Sequence, residues 1–299
     1  RSPLIFLSIA GSLNVVLNVI FVVAFDMNVA GVALATTLSQ TLSAALVLIA
    51  LCRRTDACRF TFRRMKIHKT ALWRMVRIGL PAGLQGSLFS ISNVLIQSSI
   101  NSFGSVAMSG NAASSSIEGF VYTSMNAVQQ TAMNFAGQNV GALRYDRVRQ
   151  VLRVCMACVT GIGLGLGLIA FFLGRPLLGI YITDSPEAIR LGMERMGYIV
   201  LPYFLDGLME VATGTVRGMG YSMAPTIATV MGVCVFRVAW IWWVFPAHRA
   251  LETLYISYPI SWILTFVTEY LMFLYYYRKI RQRHADAAAQ VADRAEAQP

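Results

Sequence analysis

Residues 196–220 read MGYIVLPYFLDGLMEVATGTVRGMG. Asp206 and Glu210 stand here in a run long enough to cross a bilayer and otherwise uncharged until Arg217. An ionised acid at the centre of a spanning helix costs roughly 2.5 to 3.5 kcal/mol on insertion scales, so it faces a cavity, a partner or an ion pathway rather than lipid. Glu118 and Glu269 are placed in the same way. Acids inside apolar segments point to transport, with structural pairing as the plainer alternative.

The rest of the chain supports a membrane setting. Of its 299 residues, 56% are hydrophobic and only 13% charged, and the mean hydropathy is +0.59, outside the range of ordinary soluble domains. At about 20 residues per span, the apolar tracts divide into eight: Pro3 to Phe25, Ala30 to Leu51, Leu80 to Ser102, Met108 to Val140, Val148 to Leu173, Met196 to Val216, Ala224 to Phe245 and Leu254 to Tyr277. The expected fold is all-α, a polytopic membrane helix bundle of about eight transmembrane helices.

The net charge of +11 is concentrated in alternate connections. Arg53, Arg54, Arg59, Arg63, Arg64, Lys66, Lys69, Arg74 and Arg77 occupy one, Arg144, Arg147, Arg149 and Arg153 another, and Arg278, Lys279, Arg281 and Arg283 follow the last span. The intervening loops carry few cations, namely Arg175, Arg190, Arg195 and Arg249. The positive-inside rule then puts both ends in the cytoplasm, with the chain in the cytoplasmic (inner) membrane. These cations mark a membrane side, and no nucleic-acid partner is expected. The basic stretch from Cys52 to Ile78, with Phe60, Phe62 and Trp73, reads as a surface-lying linker that holds anionic lipid. Arg1 opens the chain without a methionine or a cleavable leader, so the sequence is expected to start inside a longer protein.

Cys52, Cys58, Cys155, Cys158 and Cys234 are odd in number and lie within spans or on the cytoplasmic side, which argues against a disulfide framework. Gly161, Gly163, Gly165 and Gly167 give small-xxx-small spacings for close helix packing, not a dinucleotide fingerprint. Asp184, Ser185, Pro186 and Glu187 form a helix start, from which a short amphipathic helix is expected at the outer face.

Polar stripes run along several spans. Ser90, Asn93, Gln97 and Asn101 share one helical face, as do Asn111, Ser115, Glu118, Tyr122, Met125 and Gln129. Asp206, Glu210, Thr213 and Arg217 form a third stripe, and Ser261, Thr265 and Glu269 a fourth. Arg237 reads as the one basic residue deep in a span, at a depth similar to Asp206, and the two could pair. One cation cannot neutralise several acids, so a carboxyl should remain free for a proton or a cation. Exchange of that proton or of Na⁺ for a cationic substrate would couple efflux to an ion gradient.

Three motifs carry a family resemblance: Gly79, Leu80, Pro81; then Gly137, Gln138, Asn139, Val140, Gly141, Ala142; then Gly214, Thr215, Val216, Arg217, Gly218, Met219, Gly220. At these positions the chain resembles the multidrug and toxic compound extrusion (MATE) family. The pattern Asn14, Asn18, Gly31, Val32, Ala33, Leu34, Ala35 looks like the family's fifth and sixth helices. The resemblance implies that residues 1–51 are the last two helices of the N-terminal lobe, 52–78 a basic cytoplasmic linker, 79–278 the six-helix C-terminal lobe and 279–299 a cytoplasmic tail. The partners it implies are the bilayer, the remaining N-lobe helices and small organic cations.

Asp206, eight positions before Gly214, falls where one branch of the family has a cation-coupling aspartate. That branch also carries a glutamate eight residues after the GxP proline, and here Phe89 stands in its place, which shifts attention to Glu118. The expected function is a secondary-active antiporter that exports organic cations or drugs in exchange for H⁺ or Na⁺. Its cation-coupling residues are Asp206, Glu118 and Glu210, with Na⁺ at Asp206 as one form, and Asn93, Gln97, Tyr122, Gln129 and Arg237 line the cavity. No other cofactor is expected. The alternatives are a related flippase for lipid-linked sugars, which should favour a more basic cavity, and a membrane-embedded enzyme. The enzyme fares poorly because His68, His248 and His284 fall in loops or the tail, and no HExxH or GxSxG pattern lies on a span.

Overall fold

In a computed structural model, the described residues are 2–53, 59–61 and 66–296, with the side chains of residues 2, 3, 74, 78, 82 and 283–296 left aside. Arg54, Cys58, Phe62, Arg63 and Arg64 of the basic linker lie outside this set, as does part of the membrane-surface reading built on them. Among the described residues the fold is entirely helical. Helices occupy all eight apolar tracts, and five helical passes are long and apolar enough to cross a membrane by length and composition. The other three, α3 (Lys69–Asn101), α4 (Ser105–Gly141) and α11 (Leu251–Glu296), are diluted by polar residues or by a charged end.

The chain forms two compact units, Arg1–Leu72 and Trp73–Pro299. In the first, α1 (Ser2–Val19) continues through a π turn (Ile20–Ala24) and returns as α2 (Asn28–Arg53). Asp26 and Asn28 turn the chain with positive φ of 50° and 45°, a conformation these short polar side chains tolerate. Asn14 Nδ2 donates to Ser39 Oγ at 3.0 Å and so ties α1 to α2, while Asn18 Nδ2 donates to Asn14 Oδ1 at 3.0 Å one turn along α1 and supports it.

In the second unit α4 packs on α5 (Tyr145–Phe172), α7 (Pro186–Tyr198) and α8 (Phe204–Gly218), and α8 also packs on α5 and α11. A surface helix buries one apolar stripe and leaves its opposite face open. By contrast, α8 is enclosed around most of its circumference: Gly207, Met209, Val211, Ala212, Gly214 and Val216 are all buried. Close approach depends on glycine. A Cβ at Gly218 would stand 2.4 Å from the Met133 carbonyl oxygen and 2.8 Å from Ala136 Cβ. Along α5 the small-residue stripe divides by helical period. Gly163 and Gly167 receive Phe204 and the Val200 carbonyl, whereas Gly161 and Gly165 have nothing within 4 Å.

The start of α7 is as the sequence predicts: Ser185 Oγ accepts from Ala188 N at 3.2 Å, and Pro186 sits in the first turn. This helix packs on α4 and leads through a short turn of 3₁₀ helix (Leu201–Tyr203) into α8, as one apolar stretch from Pro186 to Gly218. Between the short helix α6 (Gly174–Tyr181) and the closing α11 run α9 (Met223–Thr229), a π turn (Val230–Val235) and α10 (Phe236–Trp243).

The packing argument gives a matched pair of substitutions. Gly218→Val should destabilise the protein by about 1 to 3 kcal/mol through overpacking, seen as a lower melting temperature in detergent. Gly165→Ala, which adds a methyl group to open space, should leave the melting temperature close to wild type or raise it slightly.

Candidate functional site

The second unit carries an open cavity of about 700 Å³ lined from α3, α4, α7, α8, α10 and α11. All eight predicted site residues line it: Asp206, Glu118 and Glu210, with Asn93, Gln97, Tyr122, Gln129 and Arg237. Helical period explains the gathering. Asn93 and Gln97 are one turn apart on α3, Glu118 and Tyr122 one turn apart on α4, and Asp206 and Glu210 one turn apart on α8. Phe89 also lines the cavity, so the position where a glutamate was sought keeps its place and lacks the charge.

Hydrogen bonds fix much of the amide wall. Asn111 Nδ2 donates to Gln97 Oε1 and Gln97 Nε2 to Asn101 Oδ1, each at 2.8 Å, which joins α4 to α3. Asn126 Nδ2 approaches Tyr122 Oη at 3.3 Å. Deeper along α8, Arg217 Nη2 donates to Gln85 Oε1 on α3 and lies 3.4 Å from Thr226 Oγ1 on α9.

The cations differ most from expectation. Arg195, read from sequence as a loop residue, is buried on α7, with its Nη2 2.6 Å from Glu118 Oε2 and its Nη1 3.0 Å from Ser114 Oγ. Arg237 is therefore not the one basic residue deep in a span. Nor does it bond to Asp206: its Nε donates to Ser261 Oγ at 3.0 Å, and its guanidinium carbon lies 4.0 Å from the centre of the Tyr258 ring, a cation–π arrangement. The π turn just before α10 precedes Arg237 by two residues, a local irregularity often found beside functional side chains. Pro259 withholds one backbone N–H from α11 between Tyr258 and Ser261, the two residues that meet Arg237.

The acids are thus unequal. Glu118 is held in an ion pair, whereas Asp206 and Glu210 form none among the described residues. Glu269 stays outside the cavity wall and is fully buried, with one carboxylate oxygen accepting from Thr213 Oγ1 and the other from Thr229 Oγ1 at 2.6 Å. The fourth stripe therefore serves helix packing: Thr265 lies against Gly232, and Ser261 supports Arg237. Gln85, Arg195 and Tyr203 line the cavity but escaped the sequence reading. Gln85 lies about two turns before Asn93 on α3, and a helical-period count carried back from Asn93 past Ser90 would have found it. For Arg195 the signal was the helix start at Ser185, followed far enough to place the residue in the last turn of a buried helix.

These features define an all-α, multi-pass membrane protein with a polar cavity inside a helix bundle. The MatE family profile matches residues 81–243, more than half of the chain, and the chain belongs to that family. Among curated proteins it is similar to the probable multidrug resistance protein YoeA of Bacillus subtilis, at 23% identity over 288 residues, 93% of this chain and 62% of that protein. The probable multidrug resistance protein YpnP of the same organism is 26% identical over 238 residues, 79% of this chain and 53% of its own length. The multidrug export protein MepA of Staphylococcus aureus is 22% identical over 231 residues, 77% of this chain and 51% of its own length. This chain thus spans about half to three-fifths of the curated relatives it matches. A mutant of the Vibrio cholerae MATE transporter VcmN shares the fold with a TM-score of 0.81 at 20% identity, over 92% of this chain and 62% of that one.

Removal of one partner from a buried pair strands the other. Glu118→Gln should cost about 3 to 5 kcal/mol by leaving Arg195 unpaired. The double variant Glu118→Gln, Arg195→Gln should recover part of that loss, as read by thermal melting in detergent.

Proposed function

We propose that the protein is a secondary-active exporter that moves organic cations or drugs in exchange for H⁺ or Na⁺, with the cavity as the site where substrate and coupling ion compete. The carrying observation is the pair Asp206 and Glu210, one helical turn apart on the cavity wall with no ion-pair partner among the described residues. Membership of the MatE family and similarity to proteins named for multidrug resistance and export support this reading.

In this reading Asp206 is the principal coupling carboxylate and Glu210 its neighbour. Either holds a proton, or Na⁺ at Asp206, in one state and releases it to a cationic substrate in the other. Glu118 takes part only after Arg195 lets it go. Asn93, Gln97, Tyr122 and Gln129 offer the substrate hydrogen bonds, and Phe89, Tyr203 and Trp262 receive its apolar body. The alternation of basic and cation-poor connections supports the cytoplasmic membrane as the location and both ends of this chain on the cytoplasmic side.

A flippase for lipid-linked sugars is the second reading, favoured by Arg195, Arg217 and Arg237 in the cavity lining. Three acids balance those three arginines, and the names of the curated relatives favour drug export.

The test is export of a cationic dye from vesicles containing the full-length protein, driven by an imposed pH or Na⁺ gradient. Wild type should respond to one of the two gradients. Asp206→Asn should abolish the response, and Glu210→Gln should reduce it. Unchanged gradient-driven export in Asp206→Asn would overturn the assignment.

A further inference from the structure

We propose that Glu269 is a proton-binding site separate from the cavity, a neutral carboxylic acid whose proton joins α8, α9 and α11. This site does not depend on the exporter reading, because neither its geometry nor its test involves transport.

Glu269 is fully buried on α11 and does not line the cavity. Its two carboxyl oxygens meet two hydroxyls, Thr213 Oγ1 on α8 and Thr229 Oγ1 on α9, the second at 2.6 Å. Each hydroxyl also meets the carbonyl oxygen four residues back, Met209 at 3.0 Å from Thr213 and Pro225 at 2.7 Å from Thr229. Four oxygen-to-oxygen contacts at hydrogen-bond distance therefore connect these groups.

The supply of protons decides the state of the acid. A hydroxyl carries one proton and an ionised carboxylate none. With Glu269 ionised, two protons serve four contacts, and Thr229 cannot fill both of its short ones. A carboxylic acid brings the third proton and reverses one bond: Glu269 donates to Thr229 Oγ1, Thr229 donates to the Pro225 carbonyl, and Thr213 donates to the other carboxyl oxygen. The contact left without a proton is then the longest of the four, Thr213 to the Met209 carbonyl.

The surroundings favour the neutral form. Glu269 has no ion-pair partner among the described residues. The charged groups that act on it from α8 are Glu210, a like charge, and Arg217, which is bonded to Gln85. From α9 and the π turn after it comes no charged side chain, only the Cys234 thiol. Arg237 of α10 is held by Ser261, two turns earlier on α11, and Arg195 of α7 is paired with Glu118. A buried charge without a partner is costly, and protonation removes the charge. The same proton fixes α8, the helix that carries Asp206 and Glu210, against α9 and α11.

The test uses the full-length protein in detergent. At neutral pH the infrared difference spectrum of wild type minus Glu269→Gln should show the C=O stretch of a protonated carboxylic acid. Thr229→Val, which removes the acceptor of that proton, should shift the band to higher frequency. The folded protein binds a proton at Glu269 that the unfolded chain releases at neutral pH, so the stability tied to it falls as pH rises. From neutral to alkaline pH, wild type should therefore lose melting temperature more steeply than Glu269→Gln, which keeps the shape of the neutral acid and has no proton to release. A carboxylate band in place of the protonated one, or equal pH slopes, overturns the site. So does a stabilisation of wild type by Na⁺ that Glu269→Gln lacks, since a metal ion then takes the place of the proton. If Glu269→Gln does not fold, Thr229→Val decides, and a band it leaves unmoved overturns the site.

Discussion

Close packing of α8 is the constraint on which the second unit depends. This helix touches α4, α5 and α11 at once, and it does so where backbone meets backbone: Gly214 against the Gln129 carbonyl, Gly218 against the Met133 carbonyl, and Gly163 of α5 against Phe204. In a bilayer, lipid is as apolar as leucine, so helices associate through contact area and hydrogen bonds rather than through exclusion of water. Small residues are what make that area available. Because α8 is pinned along its glycine faces, Asp206 and Glu210 face the cavity in a set direction, and Thr213 on the flank meets Glu269 instead.

The same constraint explains how the polar residues sort themselves. A stripe of hydrogen-bonding side chains has two uses inside a membrane, to line a cavity or to bind a neighbouring helix. The α4 stripe does both, since Glu118 and Tyr122 line the cavity while Asn111 also binds Gln97 on α3. The α11 stripe serves only the second use. Glu269, Thr265 and Ser261 are buried between helices and contact Thr213, Gly232 and Arg237 respectively. Hydropathy and period do not distinguish these uses, because both call for the same residue types at the same spacing.

That limit marks what was legible in the sequence. The all-helical class, the eight helical tracts and the cavity-facing residues of α3, α4 and α8 follow from apolar length and helical period, which are local properties. The pairing of charges does not. Arg195 and Glu118 are 77 positions apart, and nothing near Arg195 signals a partner on α4. Three apolar residues in the six before it, Ile189, Leu191 and Met193, also gave little warning of burial, because Arg190 and Glu194 beside them form a solvated pair typical of a surface helix. Arg237 lines the cavity with Asp206, but its partners, an aromatic ring and a serine hydroxyl, are weaker than the carboxylate that its charge suggested.

Placement of Arg195 changes the electrostatic logic of the cavity. With Arg237 as the sole deep cation, the wall would carry a surplus of acids and select for positive charge by simple attraction. With Arg195, Arg217 and Arg237 facing Glu118, Asp206 and Glu210, the formal charges on the wall cancel and selection depends on which of them are already satisfied. Glu118 and Arg195 form an ion pair, whereas Arg217 is bonded to the neutral Gln85 and Arg237 to the neutral Ser261. Asp206, Glu210, Arg217 and Arg237 are left without an ion-pair partner among the described residues. A charge tied into a short buried pair shapes the wall and keeps the helices in place, whereas a charge without a partner is free to answer whatever enters. The chemistry of a substrate is therefore read from the unpaired remainder on the wall rather than from its total charge.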